Sequence, residues 1–416
     1  MTVATEPMAL DPYDYAFQDD PYPTYAWLRE HEPLHHNPDL DLWALTRHAD
    51  IAEAVRTEGI YSNSYGVAIE ESAWGPDAHK VMSILGMDPP RQKRLRSLVS
   101  RGFTPRRVHD LLPRIQELTD RYLGECLELG RDGGEFDWIA DFAGKLPMDV
   151  ISEMMGVPEE DRAEVRRQAD IVVHREDGVY DVPAPAMDSS LWLVGYYQDM
   201  VTQRRRTPRD DLTSALIEAE IDDGRPGNRL SDEDVIAFLF LMVVAGNETT
   251  TKLLGHALFH LTRHPDQLAK VFDAPDGAGQ PELVNPWIEE TLRYDTSSQL
   301  LARYLLQDVG LHGRVAPKGS KLLLCLGSAN RDERVFGRPD DYDIFRAPDE
   351  LAQILSFGGG RHFCLGANLA RLETRVALTA LVQRVRRVEV DQDRCVRVHS
   401  LNVRGFAAMP TTVVGR

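Results

Sequence analysis

The stretch Phe357-Gly-Gly-Gly-Arg-His-Phe-Cys364-Leu-Gly-Ala-Asn-Leu-Ala-Arg371 constrains the fold of this chain more than any other. A lone cysteine lies between a glycine run and an apolar series, Leu365, Leu369, Leu372 and Val376, that recurs at helical spacing. This spacing predicts a core-packed helix with Cys364 at or just before its first turn. Unpaired N–H groups and the positive end of the helix dipole then face the sulfur, an arrangement that favours thiolate over thiol. Gly358 to Gly360 carry no Cβ atoms, so the backbone there can lie flat against a large planar ligand.

Several roles suit such a cysteine. Free Cys is often simply a small buried hydrophobe. A zinc site lacks a second cysteine nearby and has only His362 as a local ligand candidate. Covalent c-type haem attachment needs a C-x-x-C-H run, which is absent. A cysteine nucleophile needs a histidine base and stays open. The stretch resembles the haem-binding loop of the cytochrome P450 family, F-x-x-G-x-[HR]-x-C-x-G followed by a helix, with Phe357, Gly360, His362, Cys364 and Gly366 at the fixed positions. The resemblance implies that Cys364 is the axial thiolate of the haem iron. It also implies that His362 reaches a haem propionate, that amides after Cys364 bond its sulfur, and that Phe357, Gly358 and Gly366 belong to the cofactor-binding loop.

A second anchor is Ser231 to Thr251. Ser231 with Asp234 signals a helix start, and the helix should run to His264-Pro265. Its apolar run, Val235 to Gly246, is too short to span a bilayer and predicts a buried core helix. Gly246, Asn247, Glu248 and three threonines then interrupt it, most of them weaker helix formers than alanine or leucine. Such a break in local preference often marks function. Taken alone, Glu248-Thr249 reads as a threonine bonding back to the preceding turn beside a partly solvated acid. The run Ala245 to Thr250 resembles the P450 oxygen-binding motif, [AG]-G-x-[DE]-T-T. By that resemblance the Thr249 hydroxyl steadies dioxygen, Glu248 relays protons, and Ala245 lies against the haem. Leu241, Val244, Ala245 and Thr249 share a helix face and form the expected wall above it.

Other matches follow the same order. Met87 to Arg96 resembles the family's D-P-P-x-H-x-x-x-R segment, so Arg96 is expected at a propionate. Gln92 replaces the usual histidine and keeps a hydrogen bond without the charge. Glu290 and Arg293 read as an ordinary i, i+3 pair; by resemblance they are the E-x-x-R pair, completed by Arg346, with a structural role. Arg303 resembles the arginine that leaves a strand to meet a propionate, where two cationic donors suit a carboxylate. Asn330-Arg-Asp332 fits the family pattern with no chemistry assigned.

These features predict a mainly α fold with small β-sheets, one P450-type domain over 1–416, and haem buried between the long central helix and the cysteine loop. Residues 1–23, acidic and proline-containing, are expected to be a flexible N-terminal segment. Leu111, Ile115, Leu118 and Tyr122 predict a long helix after Pro105, while Leu311 to Leu326 reads as short strands and Val403 to Val413 as a hairpin region. The irregular segments 62–87 and 178–185 resemble the family's substrate-covering segments and equally suit ordinary surface loops.

The chain of 416 residues carries a net charge of −19, which argues against nucleic acid or an anionic membrane surface as partner. No signal peptide or membrane anchor is evident, and four cysteines without framework spacing suit a reducing compartment, so a cytoplasmic location is expected. Against the acidic background, Pro89 to His109 holds seven Lys or Arg and no acid. It reads either as a solvated basic face or as a docking patch for an acidic electron-transfer protein. No G-x-S-x-G, P-loop or dinucleotide fingerprint is present.

The combined reading is a monomeric haem-thiolate monooxygenase holding haem b. Its electrons come from NAD(P)H through a ferredoxin and ferredoxin reductase, and it hydroxylates or epoxidises an apolar small molecule such as a steroid, terpenoid, fatty acid or polyketide. Leu241, Val244, Thr296 to Leu301 with Leu300, and Val403 are the candidate substrate contacts. A haem-based sensor or carrier without turnover, and a peroxide-driven haem enzyme, are the rival readings.

Overall fold

Helix Asp232–Thr262 crosses the larger of two hydrophobic clusters, and its start is fixed by the expected cap: Ser231 Oγ accepts from Asp234 N at 3.1 Å while the Asp234 carboxylate accepts from Ser231 N. The computed structural model describes residues 8–173, 179, 181–220, 229–273 and 279–416. This central helix has 31 residues and is long and apolar enough to cross a membrane, unlike its apolar run taken alone. Most of that window, 61%, is buried against other helices, which accounts for its apolar character.

Around it pack helices Leu112–Leu129, Leu146–Met155, Glu159–Val173, Ala184–Arg206, Val284–Tyr294 and Ala367–Arg384. The helix predicted after Pro105 appears as two pieces, Pro105–Asp110 and Leu112–Leu129, and Ile115, Leu118 and Tyr122 are buried as the periodicity requires. The second cluster is built on a five-stranded sheet. Strand Leu42–Leu45 pairs antiparallel with Leu34–Asn37 and parallel with Lys321–Cys325; Leu300–Leu305 follows antiparallel, and Tyr61–Ser62 forms the far edge. Helix-rich architecture with small sheets is thus what forms.

Two expectations change. The segment 403–413 holds strands Phe406–Ala408 and Pro410–Gly415, but they pair elsewhere: the first with Val396–Arg397, the second with Glu135–Asp137 and Val385–Val390. The N-terminal segment is packed from residue 8 onward. Leu10, Phe17 and Tyr22 are buried, and Asp14 caps helix Tyr15–Asp19. Distant apolar and polar partners hold this stretch, including the bond from Tyr22 to Asp295 at 2.8 Å, and nothing in local composition announces them.

Candidate functional site

The cysteine loop closes on itself before its helix begins. Cys364 N donates to Phe357 O at 2.9 Å, and helix Ala367–Arg384 starts just beyond, with Gly366 at its N-cap position. Gly358 and Gly360 have φ of +67° and +59°, values that glycine alone adopts freely. At Gly360 a Cβ would meet Val55 O at 2.2 Å, so this glycine lets the loop pack on the helix His48–Ala54 end. A Cβ at Gly358 or Gly366 would meet nothing within 4 Å, because both face open space. Arg371 lies over the Phe357 ring at 4.5 Å and forms a two-bond pair with Glu289, which ties the new helix back to the loop.

That open space is a cavity enclosing, with its mouth, about 1450 Å³. Cys364 lines it, together with Phe357, Gly358, Gly366, His362, Arg96, Arg303, Leu241, Ala245 and Thr249, so the structure brings together residues spread from 96 to 366. The sulfur faces the cavity but is deep within the protein. Burial pushes its thiol up, against the amides of Gly366 and Ala367 and the charges of Arg96 and Arg371, which pull it down. The helix end thus supplies the expected amides, while burial acts on the sulfur in the opposite sense.

His362 sits in the same wall with both ring nitrogens buried and no well-formed hydrogen bond to either, although the Met87 backbone acts on the ring. Burial, then the positive charges of Arg303 and Arg96, lower its titration to about 3, so the ring is neutral. The Arg303 guanidinium is buried, and burial lowers it to about 10; its side-chain hydrogen bond goes to the adjacent carbonyl, Ala302 O, at 2.7 Å. Arg96 reaches Phe363 O. These three groups present donors and positive charge with little protein acceptor to meet them.

Six predicted residues fall outside this wall, among them Gln299, whose Nε2 donates to Thr296 O at 2.8 Å. Gln92 is buried but donates from Nε2 to Arg361 O at 2.9 Å, bracing the cysteine loop from behind. Val244 misses because successive helix residues turn by about 100°: the lining stripe runs from Leu241 through Ala245 and Thr249 to Gly246 and Thr250, and Val244 lies beyond its edge. Glu248 lies at that same edge, 3.1 Å from Lys252 Nζ. Leu300 points into the sheet cluster opposite Cys325, whereas Leu301 and Arg303, on the other face of the strand, line the cavity. Val403 forms a bridge with Ser298 instead, leaving Ser298 to face the space. Thr296 and Ser297 do line it.

The Thr249 hydroxyl donates to Ala245 O at 2.9 Å, and Ser297 Oγ donates to Thr249 O at 2.8 Å, so the helix is braced where its preference is weakest. Glu290 and Arg293 pair through two 2.8 Å bonds, and Arg346 Nε reaches Glu290 Oε2 at 3.0 Å. Asn330, which carries no chemistry in the sequence reading, holds the base of the cysteine loop through Ser356 at 2.8 Å and Leu355 N at 2.7 Å. Ile84, Phe103 and Glu373 also line the cavity and carry no signal beyond helical spacing. Of the irregular segment 178–185, Gly178 and Tyr180 lie outside the described residues; its Asp181 bonds Ser72 of the other irregular segment through N and Oγ.

Comparison with known proteins agrees with this geometry. The family description Cytochrome P450 matches residues 192–411. Cytochrome P450 123 of Mycobacterium tuberculosis is 52% identical over 409 residues, covering 98% of each chain. The vitamin D(3) 25-hydroxylase of Pseudonocardia autotrophica is 36% identical over 97% of this chain and 96% of that one. Among solved structures, CYP109Q5 from Chondromyces apiculatus superposes with a TM-score of 0.84 at 33% identity over 98% of both chains. The chain belongs to the cytochrome P450 family.

Proposed function

We propose that this chain is a dioxygen-dependent monooxygenase acting on an apolar molecule of steroid size, with electrons from NAD(P)H delivered by a ferredoxin and its reductase. The family implies haem iron as cofactor, and the residues present suit it. Gly358 and Gly366 leave room for a flat ligand, the Cys364 sulfur faces that room, and the ring N–H of neutral His362 with the buried cation of Arg303 suits carboxylates. Cys364 would ligate the iron as thiolate, and His362, Arg96 and Arg303 would hold the propionates. Haem, when bound, supplies oxygen activation and electron storage.

The protein's own part is binding, exclusion of water and proton supply. Leu241, Leu301, Ile84, Ile151 and Phe103 make a largely apolar chamber, with Asn63, Thr249, Thr250, Thr296, Ser297 and Ser298 among its polar points. This lining is the observation that carries the reading of an apolar substrate, and the likeness to a vitamin D(3) hydroxylase supports a steroid-like skeleton. Thr249 presents a hydroxyl at the wall, and Glu248 beside it is the nearest acid on the helix. Exposed Arg91, Lys93, Arg94, Arg106 and Arg107 give an acidic ferredoxin a basic face on an otherwise acidic molecule. Such a protein is expected to work as a soluble cytoplasmic monomer.

The test is a visible-spectrum titration of the ferric protein with sterols, terpenoids, fatty acids and macrolides. A shift toward the high-spin band with a steroid-like compound, followed by its hydroxylation with ferredoxin and reductase, supports the reading. Conversion driven by hydrogen peroxide alone would favour the peroxide-driven alternative, and haem binding with no shift and no turnover the sensor.

A further inference from the structure

Thr249 and Glu248 are adjacent in sequence, but only Thr249 faces the cavity. Glu248 Oε2 lies 3.1 Å from Lys252 Nζ, one turn further on, and Lys252 Nζ also donates to Phe406 O at 3.0 Å. Lys252 is 4% exposed, so its ammonium group is a buried cation. Gly405 makes space for its stem: a Cβ there would come within 2.4 Å of Lys252 Cδ. A buried ammonium needs a partner of opposite charge, and Glu248 is that partner.

Helix Glu159–Val173 packs against the central helix, and its Asp170 is exposed. Partial burial, and then the charge of Glu248, push the Asp170 carboxyl up to about 6 against the pull of Arg166 and Lys252. Among the described residues, Lys252 pairs with Glu248, whose charge is felt at Asp170, where Arg166 also acts; Phe406 contributes a carbonyl to Lys252.

Resting on the monooxygenase reading, we propose that Lys252 is a positioning residue for proton supply: its ammonium group is the counter-charge for the carboxylate left each time Glu248 gives a proton toward Thr249. In each transfer one O–H bond breaks on the donor carboxyl and one forms on the acceptor oxygen, and no electron moves. Without Lys252, giving up the proton leaves a bare buried carboxylate, so Glu248 stays protonated and supply slows.

The holoenzyme with its reconstituted partners tests this in two variants. Lys252→Met should lower turnover about tenfold and raise the solvent deuterium isotope effect. The substrate-induced haem shift should stay unchanged, because Lys252 does not line the cavity. Lys252→Arg, which keeps the charge, should retain most of the rate. Independently of turnover, infrared spectra of Lys252→Met should gain a protonated-carboxyl band that disappears when Glu248→Gln is added. A Lys252→Met protein with the wild-type isotope effect and no such band overturns the proposal, as does Lys252→Arg failing equally with loss of haem. If Lys252→Met does not fold, Gly405→Ala, which drives a methyl group into the Lys252 stem, takes its place with the same readouts. A wild type that never turns over refutes the monooxygenase reading instead, and the infrared band then decides the role of Lys252 alone.

Discussion

The Arg293 guanidinium meets the Glu290 carboxylate through two parallel bonds, Nε to Oε2 and Nη2 to Oε1, each 2.8 Å long, with neither side chain reaching solvent. Arg346 joins from the loop side, while Arg293 also donates to the carbonyls of Asn330, Pro339 and Asp341. Removing the acid strands two buried cations. Glu290→Gln is therefore expected to cost about 3–5 kcal/mol. Urea unfolding of the purified protein checks this, and a loss below about 1 kcal/mol would show that the pair is dispensable.

A second buried acid predicts how stability depends on pH. Asp295 accepts from Tyr22 at 2.8 Å, His260 Nε2 at 2.9 Å and Arg404 Nε at 2.9 Å. Burial pushes its carboxyl up, but Arg404, His256 and the His260 bond outweigh this and hold it well below the usual range. Burial lowers His260 from 6.5 to about 4, against the pull of Asp295. The unfolded chain thus takes up a proton near 6.5 that the folded chain refuses until about 4. Stability from this histidine is full above 6.5, falls by a few kcal/mol as pH drops toward 4, and levels off below. Denaturation midpoints for wild type and His260→Asn at pH 7.5 and 4.5 test the sign, since the variant should lose less on acidification.

Cys364 offers the simplest spectroscopic prediction. Cys364→Ser should fold, because the side chain faces the cavity and packs little, yet it should lose the thiolate form of the haem spectrum. A retained thiolate spectrum would place the ligand elsewhere.

Leu300 and Leu301 differ only in strand phase and should separate stability from selectivity. Leu300→Ala empties a site in the sheet cluster and is expected to cost about 2–5 kcal/mol while leaving the ranking of substrates intact. Leu301→Phe narrows the chamber, so it should weaken spectral binding of the bulkiest compounds first. Titrations of both variants with one panel check the contrast; equal effects on selectivity would contradict the register.

Thr249→Ala should leave substrate binding near wild type and waste electrons, with less product per NAD(P)H consumed. Coupling measured as product over cofactor oxidised checks it, and unchanged coupling would remove Thr249 from proton delivery.

Much of this is legible because the informative residues are close in sequence. The Phe357–Gly366 loop, the Ala245–Thr250 turn and the Glu290/Arg293 pair each declare themselves within about one or two helical turns, where spacing and chemistry are read together. Phase is harder. Helical repetition suggests a stripe but does not say where it ends, so it puts Val244 on the wall and omits Gly246 and Thr250. A strand alternates every residue, so a contact list running from Thr296 to Leu301 takes in both faces, and Leu300 falls on the one turned away from the cavity. Packing over long separations leaves no local trace: Leu10, Phe17 and Tyr22 enter the core from a segment that reads as loose, and Lys252 meets Phe406 across 154 residues.

Asp181 accepts from both Ser72 N at 3.1 Å and Ser72 Oγ at 2.6 Å, and so fastens together the two irregular segments of the chain. They are one latch rather than two flaps. Any movement that parts them at this point must first give up both bonds, so the segments' motions are mechanically linked there. A substitution in either one, however far it lies from a bound guest, is then able to alter how fast the other moves.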